Sequence, residues 1–197
     1  MLSTQPHGLP HPHMQTEQGP QQRQFNPYTE NGGTILAIAG KDFSVIAGDT
    51  RQSEGYSIQT RYAPKVFRLT DRAVLAVNGF AADGNMFVKK VRQRLEWYRH
   101  AHAKDMPLRA IARLIQTMLY ARRFFPYYVY NILGGIEEDG SGAVYSFDPV
   151  GDGLEIYVVL AKGASTQALE GIRGIQETTV TNDGERVFII QRELKKD

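Results

Sequence analysis

The order of patterns along this chain predicts an α+β fold. Short β-prone runs come first, in pairs separated by turn-forming residues. Two adjacent amphipathic helices follow, and β-prone runs then return to the end. That succession is the layering of helices on one side of paired strands.

Taken in order, residues 1–23 are rich in Gln, Pro and His and hold almost nothing to bury, which predicts a disordered tail. His7, His11 and His13 are offered there as metal ligands only by composition, and bias in a flexible leader accounts for them better. Residues 34–39 and 43–48 are apolar β-prone runs joined by Gly40-Lys41-Asp42, the pattern of a hairpin. A second pair, 65–69 and 73–78, turns at Thr70-Asp71-Arg72. The period then changes. Phe87, Val88, Val91, Leu95 and Tyr98 recur at three- and four-residue steps, which predicts one helix over 83–102. His100 and His102 are two apart and so do not share a helical face, which argues against a metal pair. Pro107 suits the first turn of a second helix, with Ile111, Leu114, Ile115, Met118 and Leu119 as its buried stripe. Arg122 and Arg123 suit that helix's negative end, and Pro126 forbids its continuation. Residues 127–135 and 143–147 read as strands flanking a turn at Glu137-Glu138-Asp139-Gly140. Beyond them, 154–161 is strand-like and 162–174 is a polar, small-residue excursion. Residues 176–181 and 186–192 flank Asn182-Asp183-Gly184, a hairpin signal.

Bulk properties narrow the function classes. The 197 residues fit one domain with a tail, placed at 24–197 and 1–23. A net charge of +2 with interspersed signs gives no field for nucleic acid, and the aromatic stretch from Phe124 to Tyr130 lacks a basic groove around it. Core and subunit packing are the better uses for those rings. The longest apolar run of the last third is 156–161, far too short to span a membrane. With no cysteine, neither a disulfide framework nor a thiolate metal site can form. The first residues lack the charged-then-apolar pattern of a secretory signal.

Four short strings carry the chemistry: Gly32-Gly33-Thr34-Ile35-Leu36-Ala37, Gly48-Asp49-Thr50-Arg51, Tyr62-Ala63-Pro64-Lys65 and Asn78-Gly79. Together they resemble the front half of a proteasome β-subunit, an N-terminal-nucleophile hydrolase fold. The resemblance implies a threonine freed as a new N-terminus by cleavage of a Gly-Thr bond, whose hydroxyl attacks a peptide carbonyl. An aspartate and a lysine tune it, and a glycine amide holds the oxyanion. Asp49 matches the aspartate, Lys65 the lysine and Gly79 the glycine, while Gly33 stands at the threonine's place. Glycine has no hydroxyl, and the reaction needs one beside a base. Thr34, one residue on, is the alternative nucleophile. Successive side chains of a strand face opposite ways, so its hydroxyl is expected to turn from Lys65 unless a bulge restores the face. The expectation is therefore a chain that is not an enzyme, with no catalytic residue and with Asp49, Lys65 and Gly79 as vestiges.

Two longer strings, Arg122-Arg123-Phe124-Phe125-Pro126-Tyr127-Tyr128-Val129 and Gly142-Ala143-Val144-Tyr145-Ser146-Phe147-Asp148-Pro149-Val150-Gly151, resemble one non-catalytic class of the family, the sixth position of the eukaryotic β-ring. Such a class implies a structural subunit of the 20S core, partnered by other α- and β-subunits in ATP- and ubiquitin-dependent degradation. It also implies a place in cytoplasm and nucleus, and no cofactor, metal, nucleic acid or membrane. Gln24-Phe25-Asn26-Pro27-Tyr28 resembles the start of the mature chain. Two alternatives stand beside this reading: an active threonine endopeptidase using Thr34, and a truncated product that does not assemble. The likeness is good over 24–150 and patchy over 151–197, as if roughly fifty residues, room for two or three elements, had been skipped after Val150. Asp148 and Asp152 stand near that join without the matching context. The family's αββα sandwich is accordingly expected here without much of its second helical layer, as three layers.

Overall fold

A computed structural model describes residues 25–151 with their side chains, and the backbone of three further strands at 155–160, 175–180 and 186–191. The leader at 1–23, the excursion at 162–174, Asp152 and the turn at 182–184 lie outside the described residues. The elements run β1 (Ile35–Ala39), β2 (Ser44–Gly48), β3 (Gln52–Glu54), β4 (Ser57–Thr60), β5 (Val66–Arg68), β6 (Ala73–Gly79), α1 (Ala81–His102), α2 (Leu108–Tyr120), β7 (Val129–Ile136), β8 (Gly142–Phe147), β9 (Glu155–Leu160), β10 (Ile175–Val180) and β11 (Arg186–Gln191). Mixed helix and sheet is the observed class.

The centre is a four-stranded antiparallel sheet, β5-β6-β7-β8. Side chains alternate across it, and each face has its own cover. On one face Ala73, Leu75 and Val77 of β6, with Val129 and Leu133 of β7, join Phe87, Val88, Val91 and Leu95 of α1 and Ile111, Ile115 and Leu119 of α2 in a single buried cluster. These helical residues are the expected stripes, and Leu114 and Met118 pack partly buried at the edge. The hairpin β1–β2 lies on the other face. Two adjacent glycines of β7 show how close both layers come. A Cβ on Gly134 would meet Ile46 Cδ1 of the hairpin at 2.7 Å, and one on Gly135 would meet the Arg72 carbonyl oxygen at 2.0 Å and Leu108 of α2 at 2.9 Å.

The hairpin β1–β2 is registered with Leu36 opposite Ala47 and Ile38 opposite Val45. Its inner face, led by Ile46, meets the sheet. Its outer face leaves Leu36, Ile38 and Val45 exposed at 48%, 62% and 53%. After β8 in the chain, β9, β10 and β11 form a separate three-stranded antiparallel sheet in the order β10-β11-β9, so the strand pair expected around 182–184 is present.

Three details depart from the sequence reading. Pro107 caps α2 from outside instead of opening its first turn. Arg122 and Arg123 fall beyond the helix, in the turn that follows, and Arg122 lies 4.5 Å over the Tyr127 ring instead of on terminal carbonyls. The hairpin β3–β4 was not foreseen, because Gln52-Ser53-Glu54 and Ser57-Ile58-Gln59-Thr60 carry no apolar alternation. Polar side chains knit it instead, Gln52 Nε2 donating to Gln59 Oε1 and Gln59 Nε2 to Glu54 Oε2.

Candidate active site

Three segments converge on Gly33. It precedes β1 with φ +95°, a conformation that favours glycine. Asp49 follows β2, Lys65 precedes β5, and Asn78 and Gly79 end β6. A Cβ built on Gly33 would lie 2.4 Å from Lys65 Cε and 3.0 Å from both Asp49 Oδ1 and Asn78 Oδ1. The side-chain direction of position 33 therefore points at the lysine, and a methyl group there would have to displace the Lys65 side chain.

The charges are held by backbone. Lys65 Nζ donates to the Asp49 carbonyl at 3.0 Å and the Arg51 carbonyl at 2.7 Å, and pairs with Asp49 Oδ1 at 3.2 Å. Asp49 Oδ1 accepts the Thr34 N–H at 2.8 Å, and Oδ2 accepts the Arg51 N–H at 3.1 Å. The Thr34 N–H is the main cause holding the Asp49 carboxyl below its usual range; burial acts against it, and Lys65 and Arg51 add to it. Asn78 Nδ2 donates to the Gly33 carbonyl at 3.1 Å, while its Oδ1 is enclosed and has no partner among the described residues. Gly79, at φ +114°, sits where a Cβ would strike the Tyr128 carbonyl oxygen at 2.6 Å.

The sequence reading missed Asn31. This residue, 6% exposed, takes the Ala81 N–H at its Oδ1 (2.7 Å) and donates from Nδ2 to the Ser53 carbonyl (3.1 Å). Its backbone N–H donates to the Gly79 carbonyl and its carbonyl accepts the Ser53 N–H. No local signal marks it, because all its partners are distant in sequence. A cavity of about 140 Å³ opens beside the cluster, lined among others by Asn31, Gly32, Phe67, Val77 and Gly79. Thr34 is exposed, and its hydroxyl takes no hydrogen bond among the described residues. No group of three or more metal-ligating side chains occurs among the described residues.

The profile described as proteasome subunit matches residues 29–174. The chain belongs to the proteasome subunit family. Among its relatives, proteasome subunit beta type-1 of Danio rerio is 56% identical over 133 residues, 68% of this chain and 56% of that protein. Proteasome subunit beta type-6 of Saccharomyces cerevisiae is 56% identical over 133 residues, 67% of this chain and 55% of that protein. The Arabidopsis thaliana proteasome subunit beta type-1 is 49% identical over 131 residues, covering 66% and 59%. The chain thus spans little more than half the length of these relatives, which fits a form lacking a segment that they carry.

Membership corrects one expectation. Proteasome β-subunits belong to a threonine-type peptidase family, so the absence of a side chain at Gly33 does not make this chain a non-enzyme. The physical reason is that Gly33 bears on one attacking group only. The Asp49–Lys65 pair stands, and the Thr34 hydroxyl lies next in the chain with its own N–H on Asp49.

Proposed function

We propose that the chain serves as a β-subunit of the 20S proteasome core, building the β-ring beside other α- and β-subunits for ATP- and ubiquitin-dependent protein degradation in cytoplasm and nucleus. The observation that carries this reading is the convergence of Gly33, Asp49, Lys65 and Gly79 from separate segments onto one point, in a chain of this family. In this reading Gly33 stands at the nucleophile's place in an N-terminal-nucleophile sandwich. The layers α1/α2, β5–β8 and β1–β2 are then the first three of αββα. In the same reading, the exposed Leu36, Ile38 and Val45 are the face that the family's second helical layer would cover.

The test is co-purification. The tagged chain, expressed in its own organism, should elute with 20S particles on size exclusion and appear in them by mass spectrometry. Elution apart from every core subunit would overturn the reading. The same spectrum reports the mature N-terminus: a chain beginning at Thr34 would assign the attack to that hydroxyl, because Thr34 would then carry a free amine as base. A chain that keeps Tyr28 to Gly33 retains Asn31 on the first N–H of α1.

A further inference from the structure

We propose that the turn after α2 is a docking knob, in which Phe124, preceded by Arg122 and Arg123, inserts into an apolar pocket rimmed by carboxylates on an adjacent polypeptide of the same assembly. The proposal rests on the reading of the chain as a ring subunit and adds to it the chemistry of one contact.

The ring of Phe124 is 99% exposed, and its neighbour Phe125 is 54% exposed. The backbone beneath them is fixed. Ala121 N–H donates to the Thr117 carbonyl, Arg122 N–H to Leu119, Arg123 N–H to Tyr120, and Phe125 N–H to Arg122, all at 3.0–3.1 Å. Behind the turn, the Pro126 carbonyl accepts the Tyr28 hydroxyl at 2.6 Å, and the Tyr28 ring lies 5.8 Å from that of Phe125. Phe124 therefore projects from a preorganised base, and little ordering remains to be lost when it is buried.

The surroundings are basic. Arg122 sits 4.5 Å and Lys90 5.7 Å from the Tyr127 ring centroid. No ion pair among the described residues involves Arg122, Arg123 or Lys90. The nearby carboxylate Asp83 accepts the Tyr128 N–H. Arg122 and Lys90 thus rest on an aromatic face, none of the three cations has a carboxylate partner among the described residues, and their complement is a carboxylate rim. Aromatic and arginine side chains that fill a desolvated pocket carry most of the energy of protein interfaces. A lipid surface fits less well: segments held on anionic membranes carry about four to eight basic residues, and this patch has three cations behind one fully projecting ring.

The experiment measures binding of the full-length chain to each purified subunit of the same core particle, one at a time, by surface plasmon resonance. An adjacent subunit is expected to bind, with affinity falling as NaCl rises. Phe124→Ala should weaken it roughly tenfold, a moderate hot-spot loss. The double variant Arg122→Glu/Arg123→Glu should weaken it too and remove the salt dependence. Phe124 packs against nothing in its own chain, so the thermal melt of Phe124→Ala should match wild type. Binding unchanged by both variants overturns the knob and leaves the subunit reading intact. A wild-type chain that binds no subunit overturns that reading and this contact with it. Capture on phosphatidylserine vesicles that is lost in Phe124→Ala would move the knob to a lipid surface and overturn the protein pocket.

Discussion

Gly33 is the residue on which the site turns, through its backbone as much as through its missing side chain. Its φ of +95° lies in a region that L-residues avoid, and Lys65 fills the space a Cβ would need. Gly33→Ala must therefore distort the backbone and push Lys65 off the carbonyls of Asp49 and Arg51. The expected loss is about 1–3 kcal/mol, read as a lower urea midpoint at unchanged slope; an unchanged midpoint would refute the geometry. Asp49 supplies a pH dependence with a definite sign. Its carboxyl is held below the ordinary value of 3.8 by the Thr34 N–H first, so ionised Asp49 favours the folded state. That contribution is complete above the unfolded pKa and disappears as pH falls through the lower folded one. Wild type should lose thermal midpoint relative to Asp49→Asn between pH 5 and pH 3, taken as approximate limits around the carboxylate range. Parallel curves for the two proteins would sink this account.

At the scale of elements, Asn31 does what α1 does not do for itself. The helix has no side-chain cap at Phe80, and its first N–H is taken by Asn31 from fifty residues away. The same side chain ties the Ser53 carbonyl of β3, so one amide joins the entry segment, the β3–β4 hairpin and the helix start. Asn31→Ala is expected to cost about 1–2 kcal/mol, at the upper end for a cap because the groups left behind are buried. Hydrogen exchange should quicken at Ala81 and through β3–β4 while the middle of α2 keeps its protection. Uniform protection would mean that the hairpin is held by its own glutamines. The contrast with α2 is instructive: it too lacks a side-chain cap, but its stripe of Ile111, Ile115 and Leu119 is wholly buried and packing secures it.

For the whole molecule, the outer face of β1–β2 dominates. Leu36, Ile38 and Val45 form a contiguous apolar surface on a two-stranded element, which soluble chains seldom leave open. At about 25 cal/mol per Å², each few hundred Å² of such surface left uncovered forgoes several kcal/mol. A version carrying the segment present in the longer relatives should therefore melt at higher temperature and, on the proposed ring role, enter core particles more fully. Ile38→Thr with Val45→Thr, by contrast, should reduce light scattering of the isolated chain with little change in melting. Equal melting and equal incorporation of the two lengths would show the face to be already covered.

The hairpins at 34–48 and 65–79, both helices and the β7–β8 pair follow from periodicity and turn residues, because each encodes its own buried face within a few neighbours. Asp49, Lys65 and Gly79 were singled out only through the resemblance of the strings around them to a known family. Other features have no local expression. Asn31 and Asn78 are ordinary loop and strand-end asparagines until folding brings Ala81 and Gly33 to them. The β3–β4 hairpin has no apolar face to announce it and exists through side-chain bonds across the pair. Sequence fixes whatever depends on neighbours three or four residues away. Only the tertiary structure decided that Lys65 would lie where a side chain of residue 33 belongs, because that contact is set by how the hairpin β1–β2 settles on the central sheet.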